Sequence, residues 1–159
     1  AAALFNGQLQ LTPVDGIVLP AIAMTSDNDQ CSFLNEAGRC SIHMFRPGFC
    51  RLFPLGRVYD GTGFSYFLQT GQCKKEHLAK VKVRQWINIP ELKRYEQFVC
   101  DWHYFLKDLA KTSQGLSPEL IKTLHSYILK VFYLTPYQDG SDFYDQFYMR
   151  LNDAKKLFL

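Results

Sequence analysis

This 159-residue sequence has no long hydrophobic run, no paired-cysteine motif and no recognisable catalytic signature. The longest apolar stretch, Gly16–Met24, is broken by Pro20. It falls well short of the roughly 20 residues a membrane-spanning helix needs, so no membrane partner is expected. The start, AAALFNGQLQ, lacks a basic segment followed by an apolar core, so no secretory signal is read there. GxGxxG, Walker A, GxSxG and HExxH are all missing, and no local pattern orders Ser, His and Asp into a triad. Internal repeats, low-complexity segments and domain linkers are lacking too. Neither charge sign dominates: the net charge is +3, with 7 basic and 6 acidic groups in residues 1–80 and 11 and 9 in residues 81–159. That balance makes no case for nucleic acid.

What is present is large and apolar. Thirteen Phe, nine Tyr, two Trp and 47% hydrophobic residues exclude a chain that stays unfolded. The length fits one soluble domain. The leading Ala-Ala-Ala without a Met suggests a fragment that lacks upstream residues.

Residues 1–30 read as a short β element. Leu9 and Leu11 alternate with glutamines, and Asp15-Gly16 offers a two-residue hairpin turn into Ile17-Val18-Leu19. Pro13 and Pro20 confine both strands to edge positions. Residues 31–90 are rich in turn signals, at Asn35–Gly38, Arg46–Gly48, Pro54–Gly56 and Asp60–Gly63, with one plausible strand over Phe64–Gln69. Few ladder hydrogen bonds can hold such a region, so something else must fix it. Residues 91–159 read as three amphipathic helices. The first runs over Pro90–Lys111 with a stripe of Leu92, Tyr95, Val99, Trp102, Leu106 and Leu109. The second starts at Ser117 as N-cap with Pro118 in first position, carries Leu120, Leu124, Ile128 and Val131, and stops before Pro136. The third starts near Ser141 and buries Phe143, Phe147, Leu151, Ala154 and Phe158. The expected fold is α+β. An irregular, β-containing, cysteine-rich N-terminal half (residues 1–90) packs on a three-helix C-terminal half (residues 91–159) in a single domain.

Five cysteines stand out. Four follow the spacing Cys31-x8-Cys40-x9-Cys50-x22-Cys73, and Cys100 lies apart. An odd count argues against a complete disulfide framework, and without an export signal the expected location is a reducing cytoplasm. No CxxC pair occurs, so zinc ribbons and ferredoxin runs fit poorly. Four thiolates on separate loops can still hold a zinc ion or an iron–sulfur cluster. The alternative is a set of buried thiols acting as small hydrophobes. Ile42–Phe49 and Arg51–Arg57 surround Cys50 with aromatic residues that would exclude water, and Arg46 and Arg51 would offset the negative charge of a cluster.

The runs Cys31-Ser-Phe-Leu-Asn-Glu-Ala-Gly-Arg-Cys40-Ser-Ile-His43 and Arg46-Pro47-Gly-Phe-Cys50-Arg51-Leu-Phe53-Pro54-Leu-Gly-Arg57 resemble the YkgJ-type cysteine-cluster family. Its members are described as zinc- or iron-chelating proteins of bacterial type, with flagellin lysine N-methylase as a relative. The resemblance continues through Tyr66–Cys73, Lys80–Trp86 and Asp142–Arg150. It implies metal binding, with Cys31, Cys40, Cys50 and Cys73 as the ligands that the spacing offers; the wide spacing, the aromatic residues and the arginines favour an iron–sulfur cluster over zinc. It also leaves open a methylase-like activity on a protein substrate, or a structural, zinc-stabilised interaction module. One departure is plain: family members usually carry an earlier cysteine cluster, often with adjacent Cys-Cys, and no cysteine precedes Cys31 here.

The other candidates are weaker. Cys100 and His103, three apart on the first helix, read as a boundary thiol beside a solvated imidazole. His43 could join the cysteine site, but reads as packed or surface histidine. His77 and His125 have no suggestive neighbours. The basic run Lys74–Arg84 could meet an acidic partner, and reads as a solvated face with Val81 and Val83 turned inward.

Overall fold

Asp15 and Gly16 have φ values of 50° and 86°, and this left-handed pair closes the hairpin expected from the sequence. In the computed structural model, which describes residues 6–25, 29–72 and 79–159, β1 (Leu9–Val14) pairs antiparallel with β2 (Ile17–Ile22). Among the described residues the sheet has only these two strands, so Pro13 and Pro20 cost it no third partner there. A 3-10 turn (His43–Phe45) and a short helix α1 (Gly48–Leu52) follow. Then come the antiparallel pair β3 (Leu55–Tyr59) and β4 (Phe64–Leu68), and a short helix α2 (Val83–Ile87). The long helices are α3 (Leu92–Ser113), α4 (Pro118–Ile128) and α5 (Phe143–Phe158). The fold is α+β, and no described helix is long and apolar enough to cross a membrane.

The chain divides into two compact units, to both of which α3 contributes residues. The first comprises residues 1–41 and 103–159. Its core is Ile17, Leu19 and Ala23 of the hairpin segment with Phe105, Leu109, Leu124, Ile128, Phe132, Phe147, Leu151 and Ala154 of the helices. Each of the larger side chains contributes about 1.5–3 kcal/mol by leaving water. Ring contacts at 6.2 Å (Phe105–Phe132) and 5.8 Å (Phe132–Phe147) run through it. The hairpin turn is tied to helices at two points. Lys107 Nζ lies 2.8 Å from an Asp15 carboxylate oxygen, and His125 Nε2 donates to the Gly16 carbonyl at 3.0 Å.

Helix α4 starts as expected, with the Ser117 hydroxyl accepting from Leu120 N. Its end differs, because a π-helical turn (Leu129–Leu134) continues it. The buried positions therefore run Leu124, Ile128, Phe132, while Leu120 is exposed and Val131 is only half-buried. Helix α5 is capped by Asp142, whose carboxylate accepts from Asp145 N at 2.9 Å, one residue later than expected. Phe143 is exposed and Phe158 half-buried; Phe147, Leu151 and Ala154 carry the buried face.

The second unit is Ile42–Trp102. Three of its elements, α1, β3 and α2, fall where the sequence suggested only turns or extended chain. Helix α1 packs against α2, and the Trp86 indole N–H donates to the Phe53 carbonyl at 3.0 Å. Gly48 lies so close to the Tyr95 ring that a Cβ there would overlap it. The β3–β4 turn is built on Asp60, whose Oδ1 accepts from Thr62 N, Thr62 Oγ1 and Gly63 N at 3.0, 3.2 and 2.7 Å. Those donors hold the Asp60 carboxyl below its ordinary range.

Candidate metal centre

Cys31 ends a loop that the hairpin holds in place. Met24 and Cys31 form an isolated antiparallel bridge, Thr25 N donates to Gln30 O at 2.8 Å, and Ser32 bonds back through N to Ala23 O and through Oγ to Gln8 O. Cys40 closes a second small loop. Asn35 Oδ1 accepts from Ala37 N and Arg39 N, Gly38 takes φ +69°, and Ser41 donates twice to Phe33 O, so Leu34 and Cys40 face each other across a bridge. The Asn35–Gly38 turn is where the sequence put it. Both thiols are half-buried and belong to the first unit.

Cys50 lies on α1 in the second unit and is also half-buried. Cys31, Cys40, Cys50 and Cys100 are all thiols, not disulfide sulfurs. Cys73 and His77 lie outside the described residues. Among the described residues no three or more His, Cys, Asp or Glu side chains stand together as a metal-holding set. The thiols suit zinc or iron by their chemistry, but the described residues do not by themselves assemble the site.

The surroundings of Cys50 depart from expectation in two ways. Phe45 and Phe49 are 86% and 79% exposed and Met44 78%, so these side chains do not form a dry shell. Arg51 is committed locally: its Nε donates to Arg46 O and its Nη2 to Met44 O, both at 3.2 Å, closing the turn that leads into α1. Arg46 behaves differently. Its Nε is buried with no hydrogen-bond partner among the described residues. One donor atom of a guanidinium four residues before Cys50 is thus left without an acceptor among the described residues, and this is the structural observation that suits an anionic metal–thiolate group nearby. His43 is exposed in the 3-10 turn.

Cys100 is a correction of a different kind. It is buried, not at a boundary, and its thiol donates to the Thr62 carbonyl at 3.6 Å. Burial pushes its thiol up, with Asp101 and Asp60 adding to the effect. A thiol with a raised pKa bonded to a backbone carbonyl packs the β3–β4 turn and is a poor nucleophile or ligand.

Nearby lies a cluster the sequence did not disclose. The Arg57 guanidinium sits 5.1, 5.8 and 5.6 Å from the ring centroids of Phe64, Tyr66 and Tyr95, and donates to Tyr95 Oη at 3.1 Å. Tyr66 donates to Glu96 Oε1 at 3.0 Å. Burial, then that bond, pushes the Tyr66 phenol up to about 12. These residues lie 30 and 38 apart in sequence in their pairs, so no local motif could announce them.

The family model "CxxCxxCC: Putative zinc- or iron-chelating domain" matches residues 8–87, about half of the chain. No curated protein and no solved structure matches. The matched span contains Cys31, Cys40, Cys50 and Cys73 and leaves Cys100 outside.

Proposed function

The chain belongs to the CxxCxxCC family of zinc- or iron-chelating domains, and from that premise we propose that it holds an iron–sulfur cluster through the thiolates of Cys31, Cys40, Cys50 and Cys73. The observation that carries the reading is the reach of the family match, which takes in these four cysteines and excludes the buried, carbonyl-bonded Cys100. The wide spacing without a CxxC knuckle supports a cluster over a compact zinc site, and the unpartnered Nε of Arg46 suits the negative charge that either group would carry. When bound, a cluster supplies one-electron redox chemistry. The chain's own part is to present Cys31 and Cys40 from loops fixed by backbone bridges and Cys50 from α1, with the Arg46 cation four residues away.

The test is purification without oxygen, followed by visible absorption and assays for iron, sulfide and zinc. Matching iron and sulfide in a brown protein is the expected outcome. A colourless protein with about one zinc per chain would replace the cluster with a structural zinc site. Cys50→Ser should lose most of the metal and Cys100→Ser should retain it. Equal metal content in the two variants would sink the ligand assignment.

A further inference from the structure

Counted by structural unit instead of by sequence half, the charge is uneven. The Ile42–Trp102 unit carries ten Lys or Arg against five Asp or Glu, while the other unit carries eight against ten. From residue 37 to residue 90 only Asp60 and Glu76 are acidic. On this basic unit lies an open groove of about 410 Å³, whose apolar wall is Pro54, Leu55, Leu68, Val81, Val83 and Trp86. Lys80 lines it as well, and Lys82, next in the chain to two of the lining valines, is exposed; Arg84 lines a separate groove with Glu91 and Glu96. Val81 and Trp86 are about half exposed, so the groove offers uncovered apolar area. The indole is fixed by its bond to the Phe53 carbonyl and needs little ordering before it accepts a partner.

We propose that this groove is a docking site for an acidic peptide segment that carries one apolar anchor residue. The volume falls in the range of about 300–1,000 Å³ typical of binding pockets, and an aromatic side chain in an apolar recess is the usual seat of an interface anchor. Lys80, with no carboxylate among the described lining residues, and the basic unit around it select a negatively charged partner and speed its approach. Nucleic acid suits the groove less. Its wall is mostly aliphatic with a single indole, whereas single-strand binding relies on several flat rings for stacking bases. The proposal goes beyond metal binding and does not depend on it.

The test is selection of random dodecapeptides on the full chain, followed by titration of a selected synthetic peptide with tryptophan fluorescence as readout. The expected motif is rich in Asp and Glu around one Leu, Phe or Trp, with affinity that weakens as salt is raised. A Lys80→Glu/Lys82→Glu double variant should bind about tenfold more weakly or worse while keeping its circular dichroism. Val81→Asp, at a half-exposed site, should do the same if Trp86→Ala fails to fold. Selection of neutral or basic peptides, or of none, would overturn the proposal. So would unchanged binding by the charge-reversed variant, or tighter binding of an oligothymidylate or of phosphatidylserine vesicles than of any acidic peptide.

Discussion

Arg150 shows how much one side chain can hold. Its Nη1 donates to the carbonyls of Val131 and Thr135 at 2.6 and 2.9 Å, its Nη2 to that of Pro136 at 2.8 Å, and its guanidinium lies 3.9 Å from the Tyr137 ring centroid. The π turn leaves carbonyls unpaired at its end, and this one fork takes up that of Val131 together with those of Thr135 and Pro136 just beyond it. Arg150→Ala should therefore lower stability by about 2 kcal/mol in urea unfolding. Arg150→Lys should recover only part of that, because an ammonium cannot reproduce the fork or lie flat on the ring. Tyr66 makes a second prediction. Its phenol ionises near 12 in the folded chain instead of near 10, so its contribution is fully present below about pH 10 and is lost as pH rises through 12. Tyr66→Phe should flatten the loss of stability over that window, seen as a smaller alkaline shift of the urea midpoint.

At the scale of elements, the hairpin turn clasped by α3 and α4 links stability to acid. Lys107 holds the Asp15 carboxyl below its ordinary range through a hydrogen bond and its charge. His103 is pushed down by burial and by Lys107, with Asp15 opposing. A histidine whose folded pKa is depressed binds fewer protons folded than unfolded, so stability falls as pH drops through about 6.5. The depressed carboxyl acts in the same direction in a lower window, as pH falls below about 4. His103→Gln should level the urea midpoint between about pH 7.5 and 5.5, whereas Asp15→Asn, which removes the carboxylate that opposes the depression, should steepen the fall over that interval. An unaltered slope in the histidine variant would refute the assignment.

These elements also show what the sequence could disclose. Asp15-Gly16 announces its turn because few other dipeptides accept two positive φ values, and Ser117-Pro118 announces a helix start because both act locally. The stripe of α3 was harder to read. Tyr95, Cys100, Phe105 and Leu109 are its buried positions, whereas the 3–4 spacing put Val99, Trp102 and Leu106 inward. A helix with aromatic or apolar residues on most sides gives no sharp phase. The π turn after Ile128 escaped because it changes which residue lies one turn on without changing the composition. Helix α1 and strand β3 escaped because each is only five residues long, too short for a period to show.

For the whole molecule, the cysteine pattern was legible because it is written in residue identity, and the family match over residues 8–87 bears out the resemblance. The water-excluding shell was not legible, since composition says nothing of which way Phe45 and Phe49 face. If the thiolates hold metal, stability should depend on free metal by mass action. At a hundredfold excess over the dissociation constant the gain is about 2.7 kcal/mol, raising the unfolding midpoint on reconstitution and erased by chelator. Cys50→Ser should show no such gain, measured with iron and with zinc separately.

The buried Cys100 has a practical consequence as well. Held against Thr62 and shielded from solvent, it should be modified by a thiol reagent only when the chain around it opens, while in the metal-free chain the half-buried Cys31, Cys40 and Cys50 meet the reagent sooner. Mass-resolved alkylation of Cys100 then works as a clock inside the protein. Its rate reports how often the β3–β4 turn parts from α3, without any added label.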